Sequence, residues 1–348
     1  MNFLLCLDPS TLTENLRLHR VPIFIKIAQA LIDSGHHVNV YGTYELKKEF
    51  LSFVQPINFY SASTGFQELK DQADLNNALL YVNQASIESE TLTIGDMYEA
   101  GLEPDVVIST APTATYRKIW PNKLFLHYEL GIFNRHPFPI FHQFDPGGFH
   151  HKSILSKYLN FNLPINQKAL VNLNETADRW LANLGIGKEK VGYWDVVYVP
   201  IPSFENWTVK SEISYKNRLD YLRSFAIQNL NTKIVCNEKP QHPLTLQERE
   251  EIKQLPNVQL IENKDFNGIG SLLAIYCKTT YTFSPSLALQ TLFWGNQLIT
   301  HPDSSMNAWA KSPNAREHLA GYFSIFNIQD FSEIDSRIKH WQQFNPYQ

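Results

Sequence analysis

VCNEKPQHP (Val235–Pro243) and YTFSPSLALQTLFWGNQLIT (Tyr281–Thr300) are the two passages whose reading decides the fold. In each, a short apolar, β-branched run gives way to a polar cluster, the pattern of a buried strand ending at a loop. Residues 232–237 predict a strand that delivers Lys239 and His242-Pro243 to a loop. Thr280–Phe283 predict another, ending at Ser284-Pro285-Ser286. A helix then starts at Pro285 and stops at Gly295, as proline at the first turn and glycine past the last turn require. Between the two passages lie a helix over 245–254, with Thr245 and Glu248 in capping-box register, a strand over 258–261 and a helix over 267–277. Strands alternating with helices imply a parallel sheet, and ligands bind at the carboxyl ends of such strands. Ser284 and Ser286 at a helix start offer hydroxyl and N–H donors to a phosphate, which Lys239 or His242 would complete. The plainer reading of the two serines is capping of their own helix.

The first half repeats the alternation. Strands are expected over 2–7, 37–41, 57–60, 105–110 and 123–128, with helices over 21–34 (closed by Gly35) and 44–54, and weak helical signals over 66–100. A long polar loop over 8–20 carries Arg20, and Glu129 stands at the tip of the 123–128 strand, just before Gly131. A carboxyl buried at a cleft floor gains basicity and suits acid–base chemistry. The proline- and aromatic-rich stretch 132–152 reads as a long ordered loop holding Arg135 and the turn Asp145-Pro146-Gly147-Gly148. A helix over 166–184, followed by Gly185 and Gly187, places a boundary near 185–195, and Val196–Pro202 opens the second half. The expected organisation is a domain over 1–188, a second over 189–330, and a helix over 331–348 returning to the first, with a cleft between the two domains.

Composition narrows the function. The 348 residues suffice for two full cores, with 43% hydrophobic and 18% charged residues. A net charge of −4 gives no basic field for nucleic acid. Aromatic residues reach 13%, mostly for the core, with some available to stack on sugars or bases. Cys6, Cys236 and Cys277 lack the spacing of a zinc site or disulfide framework, and no protein-bound metal or other cofactor is expected. The apolar stretch in the start MNFLLCLDPS is too short for a signal peptide and lacks a basic n-region, and no run matches a membrane span. The expected location is the cytoplasm, with at most peripheral contact with the inner membrane. No G-x-G-x-x-G, P-loop or G-x-S-x-G motif is present.

Several short motifs, in this order, resemble the GT-B glycosyltransferases, and within them the bacterial retaining β-Kdo transferases of capsule and O-antigen assembly. They are His127-Tyr128-Glu129-Leu130-Gly131, Phe144-Asp145-Pro146-Gly147-Gly148, Lys239 with His242-Pro243, and Ser284-Pro285-Ser286 followed by Leu292-Phe293-Trp294-Gly295-Asn296. The motifs are each short and lie in order between His127 and Asn296. The resemblance implies an α/β chain of two Rossmann-like domains that moves Kdo from CMP-Kdo to a glycan or lipid-linked glycan acceptor. It implies CMP contacts from Lys239, His242, Pro243, Ser284 and Ser286, an acid/base or orienting role for Glu129, and sugar or carboxylate contacts from Arg20, Arg135 and Asp145. A retaining double displacement needs a carboxylate nucleophile from the loop after the first strand of the second domain. That loop reads Phe204-Glu205-Asn206, so Glu205 is the only acid and Asn206 stands where an aspartate is expected. Alternatives are a sialyltransferase-like enzyme using another CMP-sugar, a UDP- or GDP-sugar enzyme (disfavoured by the absence of an acid in FSPSLALQTLFWG), and a non-catalytic sugar-nucleotide-binding module.

Overall fold

The computed structural model describes residues 1–7, 14–42, 44–53, 56–61, 101–110, 120–131, 141–148, 153–202, 215, 217–238, 242–262 and 268–345. The strands are β1 (Asn2–Cys6), β2 (His37–Gly42), β3 (Asn58–Ser61), β4 (Val106–Ser109), β5 (Leu124–Leu130), β6 (His142–Asp145), β7 (Trp194–Pro200), β8 (Ile234–Asn237), β9 (Val258–Ile261), β10 (Cys277–Tyr281), β11 (Gln297–Ile299) and β12 (Asn327–Ile328). The helices are α1 (Glu14–Asp33), α2 (Tyr44–Phe53), α3 (Ile154–Lys157), α4 (Gln167–Asn183), α5 (Arg218–Gln228), α6 (Leu246–Lys253), α7 (Ile269–Tyr276), α8 (Pro285–Trp294), α9 (Asn307–Lys311), α10 (Ala315–Phe326) and α11 (Ile334–Gln343). They form two compact units. The first comprises Met1–Glu129, His142–Leu155 and Ile325–Gln348, and the second Leu130–Phe141 and Ser156–Ser324.

Unit 1 holds a seven-stranded sheet in the order β12-β6-β5-β4-β1-β2-β3. β1 pairs in parallel with β2 and β4, and β12 closes one edge antiparallel to β6. Phe3 to Cys6 are all fully buried, as a central parallel strand covered on both faces demands. Leu4, Cys6, Val107 and Phe125 enter one core cluster with Trp120. On β5, Tyr128 meets Phe24 of α1 edge-on at 5.6 Å. Helix α1 begins earlier than the periodicity predicts, at Glu14, so Pro22 lies inside it and Arg20 is a helical residue rather than a loop residue. Its expected glycine stop is found: Gly35 has φ +80, its N–H reaches Ile32 O at 2.8 Å, and His36 N–H reaches Leu31 O at 3.0 Å.

Unit 2 holds a five-stranded sheet in the order β11-β10-β7-β8-β9, with all pairings parallel. Alternate residues of β7 serve separate cores. Val197 and Val199 pack with Leu222, Phe225 and Ile234, whereas Tyr198 packs with Val235, Leu273 and Cys277. The sheet is therefore covered on both faces, a doubly wound arrangement like that predicted from the alternating strands and helices.

Two further sequence expectations differ from the structure. The stretch 132–152 is not loop throughout, because His142–Asp145 forms a strand inside the unit 1 sheet. Its prolines at 137, 139 and 146 flank the four-residue ladder instead of interrupting it. Residues 156–188 lie in unit 2, not with the first half, because α4 buries Ala169, Leu173, Trp180 and Leu181, and Trp180 stacks on Phe293 of α8 at 5.2 Å.

Candidate functional site

In unit 2 the chain builds β7, β8 and β9 to one side, then crosses to β10 and β11 on the other. The topological switch point therefore lies between β7 and β10, where an open α/β sheet parts to admit a ligand. Ser284 is the N-cap of α8, and Pro285 occupies the first helical turn. The Ser284 side chain makes no capping bond, and its backbone N–H donates to Thr282 Oγ1 at 3.1 Å. The plain capping reading of Ser284 therefore does not hold. Ser286 is exposed on the first turn.

On the other flank of β7, the β8 loop is fastened at both feet. Tyr198 Oη donates to Asn237 Oδ1 at 2.6 Å, and Asn237 Nδ2 donates to Glu238 O at 3.1 Å. The buried Glu238 carboxylate accepts the Leu244 N–H and the Arg249 guanidinium. Arg218 donates through Nη1 to His242 O at 2.8 Å and through Nη2 to Pro243 O at 3.0 Å. Its Nε and Nη2 also hold the Glu248 carboxylate, at 2.7 Å for Nε. The Arg218 hydrogen bond holds the Glu248 pKa at about 2. Glu248 also completes the expected capping box with Thr245. His242 is thus half-buried on a braced loop, with Pro243 exposed beside it. Sequence reading missed Glu238, Arg218 and Arg249. The capping box was a legible signal for Glu248, but nothing local announces a partner at Arg218, thirty positions away.

The switch point of unit 1 lies between β1 and β4, and the buried Ser109 and Thr110 end β4 there. One strand further, β5 pairs Ser109 with His127, and Glu129 follows two residues later on the same face. Glu129 is about one-third exposed, with Oε2 3.8 Å from Nε2 of the buried His127. Burial, then the Glu129 charge, pushes the Tyr128 hydroxyl far above the usual tyrosine range, and Arg20 acts in the opposite direction. Glu129 and Arg20 therefore both act on the environment of one phenol. Tyr128 Oη also lies 2.8 Å from His142 Nδ1.

Asp145 does not take the sugar-contact role expected of it. It is fully buried, and its oxygens accept the N–H groups of Gly147 (2.7 Å), Gly148 (3.2 Å) and Ile154 (3.0 Å) and the hydroxyl of Ser153. Burial raises its pKa against the lowering pull of these bonds and of His127. Its role is to tie Gly147, Gly148, Ser153 and Ile154 to the end of β6.

Glu205, Asn206, Lys239 and Arg135 lie outside the described residues. Among the described residues no three His, Cys, Asp or Glu side chains gather as a metal site, and no helix is long and apolar enough to cross a membrane. A hollow of about 430 Å³, lined by Asn2, His37, Asn39, Asn58 and Glu103 among others, opens at the amino ends of β1–β3. That is the opposite sheet edge from Glu129, and the edge that parallel sheets do not use for ligands.

No protein-family model matches the chain, and no curated protein matches it. Among solved structures it is similar to a β-Kdo 2,7-transferase, KpsC of Thermosulfurimonas dismutans, at 14% identity over 81% of this chain and 89% of that one, with a TM-score of 0.48. A KpsC β-Kdo 2,4-transferase of the same organism is 15% identical over 72% of this chain and 87% of that one, with a TM-score of 0.44. A glycosyltransferase from Rickettsia africae is 14% identical over 99% of this chain and 93% of that one, with a TM-score of 0.37.

Proposed function

We propose that this chain is a GT-B glycosyltransferase that moves Kdo from CMP-Kdo to a sugar hydroxyl of a bacterial surface polysaccharide or its lipid-linked precursor. The observation that carries the reading is the carboxyl edge of the unit 2 sheet. There the braced His242-Pro243 loop follows β8, the start of α8 with Ser284 and Ser286 follows β10, and both strands neighbour β7. Free N–H groups at the helix start and the imidazole are suited to a nucleotide phosphate. In this reading Lys239 adds charge and Pro243 shapes the nucleotide contact. Arg20 and Arg135 supply planar guanidinium groups for the Kdo carboxylate.

The chemistry follows from the carboxylates. In a retaining double displacement a carboxylate, Glu205 in this chain, attacks the anomeric carbon and the CMP–sugar bond breaks, CMP leaving with the electron pair. Glu129 then takes the proton of the acceptor hydroxyl as that oxygen replaces the carboxylate. Asn206, where an acid is expected, favours a second reading, a module that binds the sugar nucleotide without turning it over.

Titration with CMP and an assay of CMP release from CMP-Kdo in the presence of an acceptor test the assignment. CMP is expected to bind, and His242→Ala to weaken it by about tenfold or more, about 1.4 kcal/mol. Glu129→Gln should abolish transfer and leave CMP affinity intact. Unchanged affinity in His242→Ala sinks the donor site, and CMP binding without release selects the module.

A further inference from the structure

We infer that Arg218 is a positioning residue that braces the far end of the loop following β8 and fixes how His242, Pro243 and Leu244 are presented at the carboxyl edge of the unit 2 sheet. The inference rests on the nucleotide-binding reading of that loop. Arg218 is the first residue of α5, directly after the segment that follows β7, and Asn217 caps the helix by accepting the Leu219 and Asp220 N–H groups. The segment Glu238-Lys239-Pro240-Gln241-His242-Pro243 contains two prolines, which offer no N–H and so remove two local donors. Arg218 supplies the missing donors to the consecutive carbonyls of His242 and Pro243. The same guanidinium is held in place by both oxygens of Glu248. Only a planar fork with five N–H donors reaches two carbonyls and a carboxylate together; a lysine ammonium, with three donors on one atom, does not.

The same helix contains an internal control. Arg223 also bridges α5 to α6, bonding Asp220 at 2.9 Å and Glu251 at 2.8 Å, but these bonds leave the loop backbone untouched. A general loss of helix bridging would follow from removing either arginine, whereas a change in loop presentation follows only from Arg218.

The test pairs amide hydrogen exchange over 238–246 with CMP titration, on wild type, Arg218→Ala, Arg218→Lys and Arg223→Ala. Arg218→Ala is expected to speed exchange at Leu244, whose N–H bonds Glu238, by about tenfold or more. It should also weaken CMP by about tenfold. Arg218→Lys should preserve overall folding yet reproduce part of both effects, and so carries the test should the alanine variant not fold. Arg223→Ala should leave both readouts unchanged. Wild-type loop exchange in the Arg218 variants, or the same changes in Arg223→Ala, overturns the proposal. Absence of CMP binding in the wild type overturns the nucleotide reading instead, and the Leu244 exchange rate then still decides whether the brace exists.

Discussion

Asp145 and Glu129 look alike in the sequence, each a carboxylate near a glycine and an aromatic residue. The structure separates them by solvent. Glu129 keeps about a third of its side chain exposed, whereas Asp145 has none and spends its oxygens on three backbone N–H groups and the Ser153 hydroxyl. Removing an acceptor from buried donors costs about 1–3 kcal/mol per donor left unpaired, net of relaxation. Asp145→Ala should therefore destabilise the protein by about 3 kcal/mol or more in urea unfolding, and Asp145→Asn, which keeps one carbonyl oxygen, by less. An alanine variant within about 1 kcal/mol of wild type would contradict this role. Local sequence signalled the turn through Pro146-Gly147-Gly148. It gave no sign of Ser153 and Ile154 folding back on the carboxylate, because that contact depends on burial.

At the scale of elements, β6 shows where periodicity fails. Its four residues are too few to display alternation, and the prolines around it read as loop. Tertiary contacts make it a strand: β12 pairs with it, Asp145 fastens its end, and His142 at its start lies 4.3 Å from the Phe331 ring, centre to centre. The strand consequently carries a titrating group. Burial, and then the Lys26 charge, lowers the His142 pKa from 6.5 to about 4. The folded state thus favours the neutral ring, while the unfolded chain protonates near 6.5. This contribution to stability is complete above about pH 6.5 and is lost as pH falls toward about 4. In chemical denaturation at a series of pH values, wild type should lose stability over that window more steeply than His142→Gln. Parallel profiles for the two proteins would show that His142 does not titrate as its burial requires. By contrast, apart from β10, which runs Cys277–Tyr281 rather than Thr280–Phe283, most strands and helices between Ile234 and Ile299 were legible to within a residue or two. There, buried β-branched runs, the Thr245 capping box and the Pro285–Gly295 bounds all state the same structure locally.

At the scale of the whole chain, the α/β class and the mainly parallel pairing of both sheets followed from alternating patterns, but the placement of residues 156–188 did not. Unit 1 is assembled from three separate lengths of chain, ending with Ile325–Gln348, the stretch that holds the helix expected to return to the first domain. The last length is bound by specific contacts. Trp341 is fully buried, stacks on Phe144 of β6 at 5.1 Å and donates through Nε1 to Ile325 O at 2.9 Å. His36 Nε2 lies 3.0 Å from Asp335 Oδ1, and Asn345 Nδ2 donates to Lys123 O at 3.4 Å. A terminal helix held only by its exposed polar contacts would contribute little, since such contacts are each worth about 0–1 kcal/mol. The buried indole distinguishes the cases, because truncating a core tryptophan leaves a cavity and costs about 3–5 kcal/mol. Trp341→Ala should lower the unfolding free energy by that amount, whereas Lys339→Ala, on the exposed face of α11, should stay within about 0.5 kcal/mol of wild type. Equal small effects from both substitutions would mean that residues 325–348 are an appendage, and that the first 129 residues with β6 complete their core without them.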